Sequence, residues 1–231
     1  MLKLIKLEIK KFKLKGYIKG VTIANLIILA FILSINYVSK YESEAAIDNY
    51  QMAFTIINAF IRVTFIVFAS VIISRLIIDE YKNKTITVLF MYPINRKKII
   101  IAKLIIVVIF AFISIIISNV FVGTSFYLFD KILHFIPYKL TIDILISSSI
   151  NTVMCAFADS FISLIPLYFG MRKKSVPATI TSAIIIASVI SSNNGGFTLY
   201  SIIAIPIALA VIGAFIGYLA IKNIEHMDIV N

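Results

Sequence analysis

The sequence predicts an all-α integral membrane protein with six transmembrane helices, and three observations support that prediction. Hydrophobic residues make up 61% of the 231-residue chain and charged residues only 14%, whereas soluble domains average about 45–50% and about 25%. Charge-free runs recur along the chain, and the longest, between Lys174 and Lys222, has forty-seven residues. At ~1.5 Å per residue, that run as one helix would be about twice as long as a bilayer core is thick, so it must fold back.

Runs with at most one charged residue mark the six predicted spans within a single domain, 1–231. Each is near or above the ~20 residues that a helix needs to cross a bilayer, apart from the fifth, which is short. They are 20–39, 49–74, 104–129, 144–171, 176–191 and 198–221. The Ser/Asn/Gly-rich stretch 191–196 is the predicted turn in the last run, which leaves about six residues between spans 5 and 6. Pro166 and Pro206 predict kinks in spans 4 and 6.

The distribution of lysine and arginine predicts the orientation of these spans. With the N-terminus in the cytoplasm, eighteen of the twenty-two basic residues lie on the cytoplasmic side and only Lys40, Lys131 and Lys139 lie outside. Both termini are therefore predicted to be cytoplasmic. This asymmetry also accounts for the net charge of +11 without a nucleic-acid partner.

Residues 1–18 are predicted to form a basic elbow helix that lies in the headgroup layer before span 1. Leu2, Ile5, Ile9 and Phe12 recur at helical spacing between lysines, a pattern typical of interfacial helices. The alternative is that these lysines only anchor a cytoplasmic N-terminus.

The loop between spans 2 and 3, residues 79–98, carries the most specific pattern. Residues 79–103 read DEYKNKTITVLFMYPINRKKIIIAK. The apolar stretch 85–91 is too short to span a bilayer and too apolar to stand in water, so it is predicted to bury its side chains against another protein. A helix resting in the lipid interface is the alternative.

At this loop the chain resembles the membrane subunits of ABC-2 type transporters. The residues that carry the resemblance are Glu80, Thr85, Leu89, Pro93, Arg96 and Lys103. The resemblance implies a coupling helix that docks on a separate ATPase subunit, with Lys84 and Phe90 in the same contact, although glycine is frequent in the family at the position of Lys84. In its small size the chain looks most like the bacitracin-transport and lantibiotic-immunity permeases.

The resemblance further implies two ATPase subunits in each complex and a second permease, identical or similar, in a bacterial cell membrane. ATP and Mg would bind to the ATPase, since this chain has no G-x-x-x-x-G-K-[ST] motif. The chain itself is therefore expected to hold no cofactor, to be no enzyme, and to contact membrane lipids. The implied substrate is an amphipathic or antimicrobial peptide, or a lipid-like compound, that is exported.

Arg62 and Asp159 are the charged residues inside the predicted spans. Each lies thirteen residues from the basic cytoplasmic end of its span, or ~20 Å of helix, so the two are predicted to share a depth. Unpaired, each would cost at least ~2.5–3.5 kcal/mol. They could line a translocation path with Asn58, Ser148 and Asn151, or form an ion pair that fixes helix packing. In a third interpretation Arg62 alone reaches the outer headgroups.

Two other functions remain open at the level of the sequence. The chain could be an ion-coupled secondary transporter with Asp159 as its coupling carboxylate, or a membrane immunity protein that sequesters a peptide without moving it. Neither needs a short apolar helix at 85–91, so the loop favours the ATP-driven permease. A metal site is not predicted, because His134 and His226 fall on opposite sides of the membrane and Cys155 is the only cysteine.

Overall fold

The computed structural model is built almost entirely of helices. It describes residues 2–12, 15–42, 47, 49–83, 96–133, 136, 140–191, 193–194, 197–198, 200 and 204–222. In chain order the elements are α1 (Leu2–Lys11), α2 (Lys15–Glu42), α3 (Tyr50–Ile73), a π-helical segment (Ser74–Ile78), α4 (Asp79–Lys82), α5 (Arg96–Leu133), α6 (Ile142–Ile162), α7 (Ile165–Lys173), α8 (Val176–Ser191), strands β1 (Asn193–Asn194) and β2 (Phe197–Thr198), and α9 (Ala204–Lys222).

Five helical stretches of the described chain are long and apolar enough to cross a bilayer. They are Gly16–Val38, Tyr50–Lys82, Lys97–Leu133, Ile142–Lys173 and Ala204–Lys222, and they correspond to predicted spans 1 to 4 and 6. The prediction of an all-α integral membrane protein is therefore confirmed. The predicted fifth span, α8, has sixteen residues, which give ~24 Å of helix against a core of ~30 Å.

The central helix of the bundle is α3, which packs against α5, α6 and α8. Ala53, Ile57, Ile61 and Phe65 recur every four residues along its buried side and are at most 1% exposed. Residues at this spacing lie on one side of a helix, so they form a continuous apolar stripe. Outside this core, α1 and α2 flank α5, and α9 packs on α6 and α7.

The two prolines that were predicted to kink spans 4 and 6 each stand in the first turn of a helix. Span 4 is interrupted between α6 and α7, and Pro166 stands in the first turn of α7. Pro206 stands in the first turn of α9, which is described from Ala204, and proline is tolerated at such a position. Between α8 and the described start of α9, β1 and β2 pair antiparallel, with Asn193 opposite Thr198. Thr198 therefore lies in a strand and not, as predicted, at the start of span 6.

The α9 helix approaches α6 closely at Gly213. A Cβ atom at this position would lie 2.1 Å from the backbone oxygen of Phe161, and a backbone oxygen cannot rotate away. We expect Gly213→Ala to lower the free energy of unfolding by about 1–3 kcal/mol because the two helices must separate. Reversible unfolding in detergent micelles measures this, with Gly16→Ala, which has open space around its Cβ, as control. Equal stability of the two variants would contradict the prediction.

Candidate functional site

The Arg62 cluster comprises Arg62 of α3, Asp159 of α6 and Tyr200. Arg62 Nε donates a hydrogen bond to Asp159 Oδ2 over 3.1 Å, and the two residues are only 6% and 2% exposed. Arg62 lies thirteen residues before Arg75 and Asp159 thirteen residues before Arg172, the spacing on which the prediction of a shared depth rests. Burial of both charges inside the bundle is tolerable because each has an opposite charge in contact.

Tyr200 completes the Arg62 cluster from the segment that precedes α9. Its hydroxyl donates a hydrogen bond to Asp159 Oδ1, and its ring lies 3.2 Å from the Cζ atom of Arg62. A guanidinium over an aromatic face gains a cation–π attraction that increases when water is excluded. Sequence reasoning missed Tyr200, because a tyrosine next to a turn carries no spacing signal that points to a helix 41 residues earlier.

A cavity of about 230 Å³ lies beside the Arg62 cluster. Tyr200 lines it, and Asn151, Cys155 and Ser147 supply further polar atoms. Among the predicted path residues, Asn151 therefore faces this cavity, whereas Asn58 donates a hydrogen bond to Thr152 over 3.2 Å. Ser148 is half-buried and is not among the residues that line the cavity. Tyr200 thus stands between the buried ion pair and the cavity.

The Lys103 cluster comprises Lys103 of α5, Glu80 of α4, and Glu8 and Lys11 of α1. Lys103 is fully buried, and its ammonium group contacts Glu80 Oε2 and lies 3.9 Å from Glu8 Oε2. Lys11 pairs with the other oxygen of Glu80 over 2.7 Å. The cluster therefore joins three helices that are far apart in the sequence.

The buried ammonium group of Lys103 also binds a backbone carbonyl within the π-helical segment. The amide of Asp79 donates a hydrogen bond to the carbonyl of Ser74, five residues earlier. This bonding pattern widens the helix locally and differs from the four-residue pattern of an α-helix. Lys103 Nζ donates to the carbonyl of Leu76 over 2.7 Å, so its proton donors are shared between this carbonyl and Glu80. Sequence reasoning gave no signal for the π-helical segment.

Glu8 is the weakest member of the Lys103 cluster. Its Oε2 atom accepts no hydrogen bond within the described part of the chain. Burial raises the pKa of Glu8, and the positive charges of Lys103 and Lys11 oppose that rise. The prediction for residues 1–18 rested on lysines and apolar residues, so it missed the contact of Glu8 with Lys103.

Most of the predicted ATPase-coupling residues lie outside the described residues. This is true of Lys84, Thr85, Leu89, Phe90 and Pro93. Arg96 begins α5, and nothing is described of its side chain. Glu80 and Lys103, one on each side of this stretch, are the two that the structure brings together.

The chemistry of both clusters is that of charge pairing. Within the described residues, no group of three or more His, Cys, Asp or Glu side chains could hold a metal ion. The two clusters instead fix helices to one another: α3 to α6 at Arg62, and α1 to α4 and α5 at Lys103.

Comparison with known proteins identifies the family. A profile of the ABC-2 family transporter proteins matches residues 4–191. The chain is also 44% identical over 225 residues to the uncharacterized protein YcbO of Bacillus subtilis (strain 168), an alignment that covers 97% of this chain and 99% of that protein. No solved structure matches the chain. ABC-2 permeases are membrane components that normally use ATP through a separate ATPase subunit, and this chain belongs to the ABC-2 family of transporter proteins.

Proposed function

We propose that the chain is the permease subunit of an ATP-driven exporter and that residues 84–95 receive the motion of an ATPase subunit. The observation that carries this proposal is the contact between Glu80 and Lys103. Glu80 lies four residues before the loop, and Lys103 lies about two turns into the helix that follows it, so their contact joins the two helices at the base of the loop. A force on the loop then reaches α3, through the π-helical segment, and α5 together.

In this proposal six helices cross the membrane and both termini are cytoplasmic. The α1 helix lies in the headgroup layer as an elbow, with Lys6, Lys10 and Lys11 exposed and Glu8 buried. A positive exposed surface suits the anionic cytoplasmic leaflet. The short α8 helix crosses as the fifth span because flanking residues and local thinning of the bilayer can accommodate a modest mismatch.

We propose an amphipathic or antimicrobial peptide, or a lipid-like compound, as the substrate, as in the bacitracin-transport and lantibiotic-immunity permeases that the chain resembles. The cavity beside Tyr200 is about 230 Å³, too small for such a molecule. It would form one wall of a path that a second permease, identical or similar, completes. Two ATPase subunits would then bind the two coupling loops and hold ATP and Mg.

The geometry of Asp159 weighs against the ion-coupled alternative. One carboxylate oxygen accepts a hydrogen bond from Arg62 and the other from Tyr200. A coupling carboxylate must bind and release an ion, which would require both contacts to break. A membrane immunity protein that only sequesters a peptide would have no need for the Glu80–Lys103 contact at the base of the loop.

Isolation of the tagged chain from its native membranes in mild detergent tests the proposal. We expect a P-loop ATPase in stoichiometric amount, reduced about tenfold or more by Leu89→Asp or Arg96→Glu, since each removes an anchor of the interface. Lys222→Glu, at the exposed end of α9, is the matched charge-reversal control. A chain that arrives alone under conditions that preserve known ABC complexes would exclude the proposal. Because the ATPase is cytoplasmic, its binding also tests the orientation of the loop.

A further inference from the structure

An apolar groove runs between α1, α2 and α5, and no residue of the Arg62 cluster lines it. Its volume is about 600 Å³. Ile5 and Ile9 of α1 contribute to one end, and α5 lines it from Ile106 to Phe121. Neither charge cluster uses this space, and the proposed export path does not pass through it.

The length and lining of the groove indicate the kind of occupant that it suits. The sixteen residues from Ile106 to Phe121 give ~22 Å of length, longer than the ~15 Å of one leaflet. Apart from Thr22, Asn25 and Ser114, the side chains that line the groove are aliphatic or aromatic. A long, narrow apolar surface of this kind suits one extended hydrocarbon chain.

The rim of the groove opens sideways toward the surrounding bilayer. Ile18 and Leu26 of α2 and Ile113 of α5 line it and remain about half exposed, at 58%, 56% and 49%. An occupant can therefore enter from the lipid without leaving the membrane. The acyl chain of a phospholipid is the extended apolar chain available there.

Charge at the end of the groove selects the headgroup. Lys6 and Lys10 directly follow Ile5 and Ile9 on α1, Lys19 directly follows Ile18 on α2, and all three lysines are exposed. The acid of α1, Glu8, is buried near Lys103 instead. The exposed charges described beside the groove are therefore positive and complement a lipid phosphate.

We propose that this groove is a binding site for an anionic phospholipid, with one acyl chain between α1, α2 and α5 and the phosphate held by Lys6, Lys10 and Lys19. The site ties α1 to α2 through a lipid. It requires neither the ATPase nor the export substrate.

Asn25 provides a means of distinguishing an acyl chain from a polar ligand. It lines the groove and is 4% exposed, and its Oδ1 atom accepts no hydrogen bond within the described residues. An acyl chain has no donor for this oxygen and gains from its replacement by an apolar group. A ligand with an N–H or O–H group would instead depend on Asn25.

Photo-crosslinking of the full chain in phosphatidylcholine vesicles tests the site. The probes are phosphatidylglycerol and phosphatidylcholine, each with a diazirine in one acyl chain. We expect labelling of α2 and α5 peptides to be about fivefold stronger with phosphatidylglycerol and to saturate as the fraction of probe rises. Replacing Lys6, Lys10 and Lys19 together by glutamine should abolish the difference between the lipids.

Two variants and a control complete the experiment. Ile113→Trp fills the groove and should remove the labelling, whereas Ile185→Trp, on an exposed part of α8, should not. Asn25→Leu should keep or increase it. Equal labelling of the wild-type chain by both lipids would overturn the proposal. Labelling of the wild-type chain that rises linearly with the fraction of probe, without saturating, would also overturn it. Loss of labelling in Asn25→Leu would also overturn it, by assigning the groove to a hydrogen-bonding ligand.

Discussion

Replacing Lys103 with methionine is expected to lower the free energy of unfolding by about 3–5 kcal/mol, because it removes the buried cation shared by two carboxylates. Methionine keeps much of the side-chain volume, so the loss reports on charge more than on packing. The carbonyl of Leu76 also loses its donor, which adds the cost of an unsatisfied polar group. Reversible unfolding in detergent micelles measures the change.

Two further variants separate the charge effect from general damage to α5. Lys98→Met changes an exposed lysine on the same helix and should alter stability by less than about 0.5 kcal/mol. Adding Glu80→Gln to Lys103→Met should recover part of the loss, since it removes one of the two buried carboxylates that Lys103 neutralised; Lys11 still pairs with the other oxygen of Glu80 in the single variant. A double variant as unstable as the sum of the two single variants would show that Lys103 and Glu80 act independently.

Replacing Asp159 with alanine is expected to cost a similar amount, about 3–5 kcal/mol, since it leaves the Arg62 guanidinium buried without a counter-charge. Arg62→Ala should destabilise the protein by a similar amount, because it leaves the Asp159 carboxylate buried without a positive partner. The double variant should be more stable than the sum of the single losses predicts, with a coupling energy of about 0.5–3 kcal/mol. Unfolding of all four proteins in detergent gives this cycle.

Asp143→Ala is the matched control for Asp159→Ala. It removes an exposed acid from the same helix and should leave stability nearly unchanged. Strictly additive losses for Arg62→Ala and Asp159→Ala would contradict direct pairing. A transport assay on the double variant distinguishes the two roles that the sequence left open. If the pair only fixes helix packing, transport should recover together with stability. If the two residues line the translocation path, transport should stay lost.

The sequence predicted the membrane helices well because the bilayer imposes one strong rule. A charged residue inside the core is costly, so the charge-free run 104–129 lies wholly within α5. The shared depth of Arg62 and Asp159 follows from the same helical rise. Their contact also requires that α3 and α6 turn these two side chains toward each other. The spacing of residues along the sequence does not predict how two helices are rotated relative to each other.

The missed residues depend on contacts between distant segments. Tyr200 reaches Asp159 only because the turn after α8 returns toward α6, and Glu8 reaches Lys103 only because α1 folds onto α5. The π-helical segment arises from backbone bonding that has no signature in residue type. Nothing in the composition of residues 193–198 indicated that Phe197 and Thr198 pair as a strand with Asn193 and Asn194.

The Arg62–Asp159 contact has a consequence for the order in which the protein is made. The two residues are 97 positions apart, so at about 5–20 residues per second the ribosome needs roughly 5–20 s to reach Asp159 after Arg62. During that interval α3 enters the bilayer with its guanidinium uncompensated, and the apolar residues around Arg62 must drive insertion by themselves. The nascent protein therefore passes through a stage in which α2 and α3 are in the bilayer and α6, which carries Asp159, has not yet been synthesised.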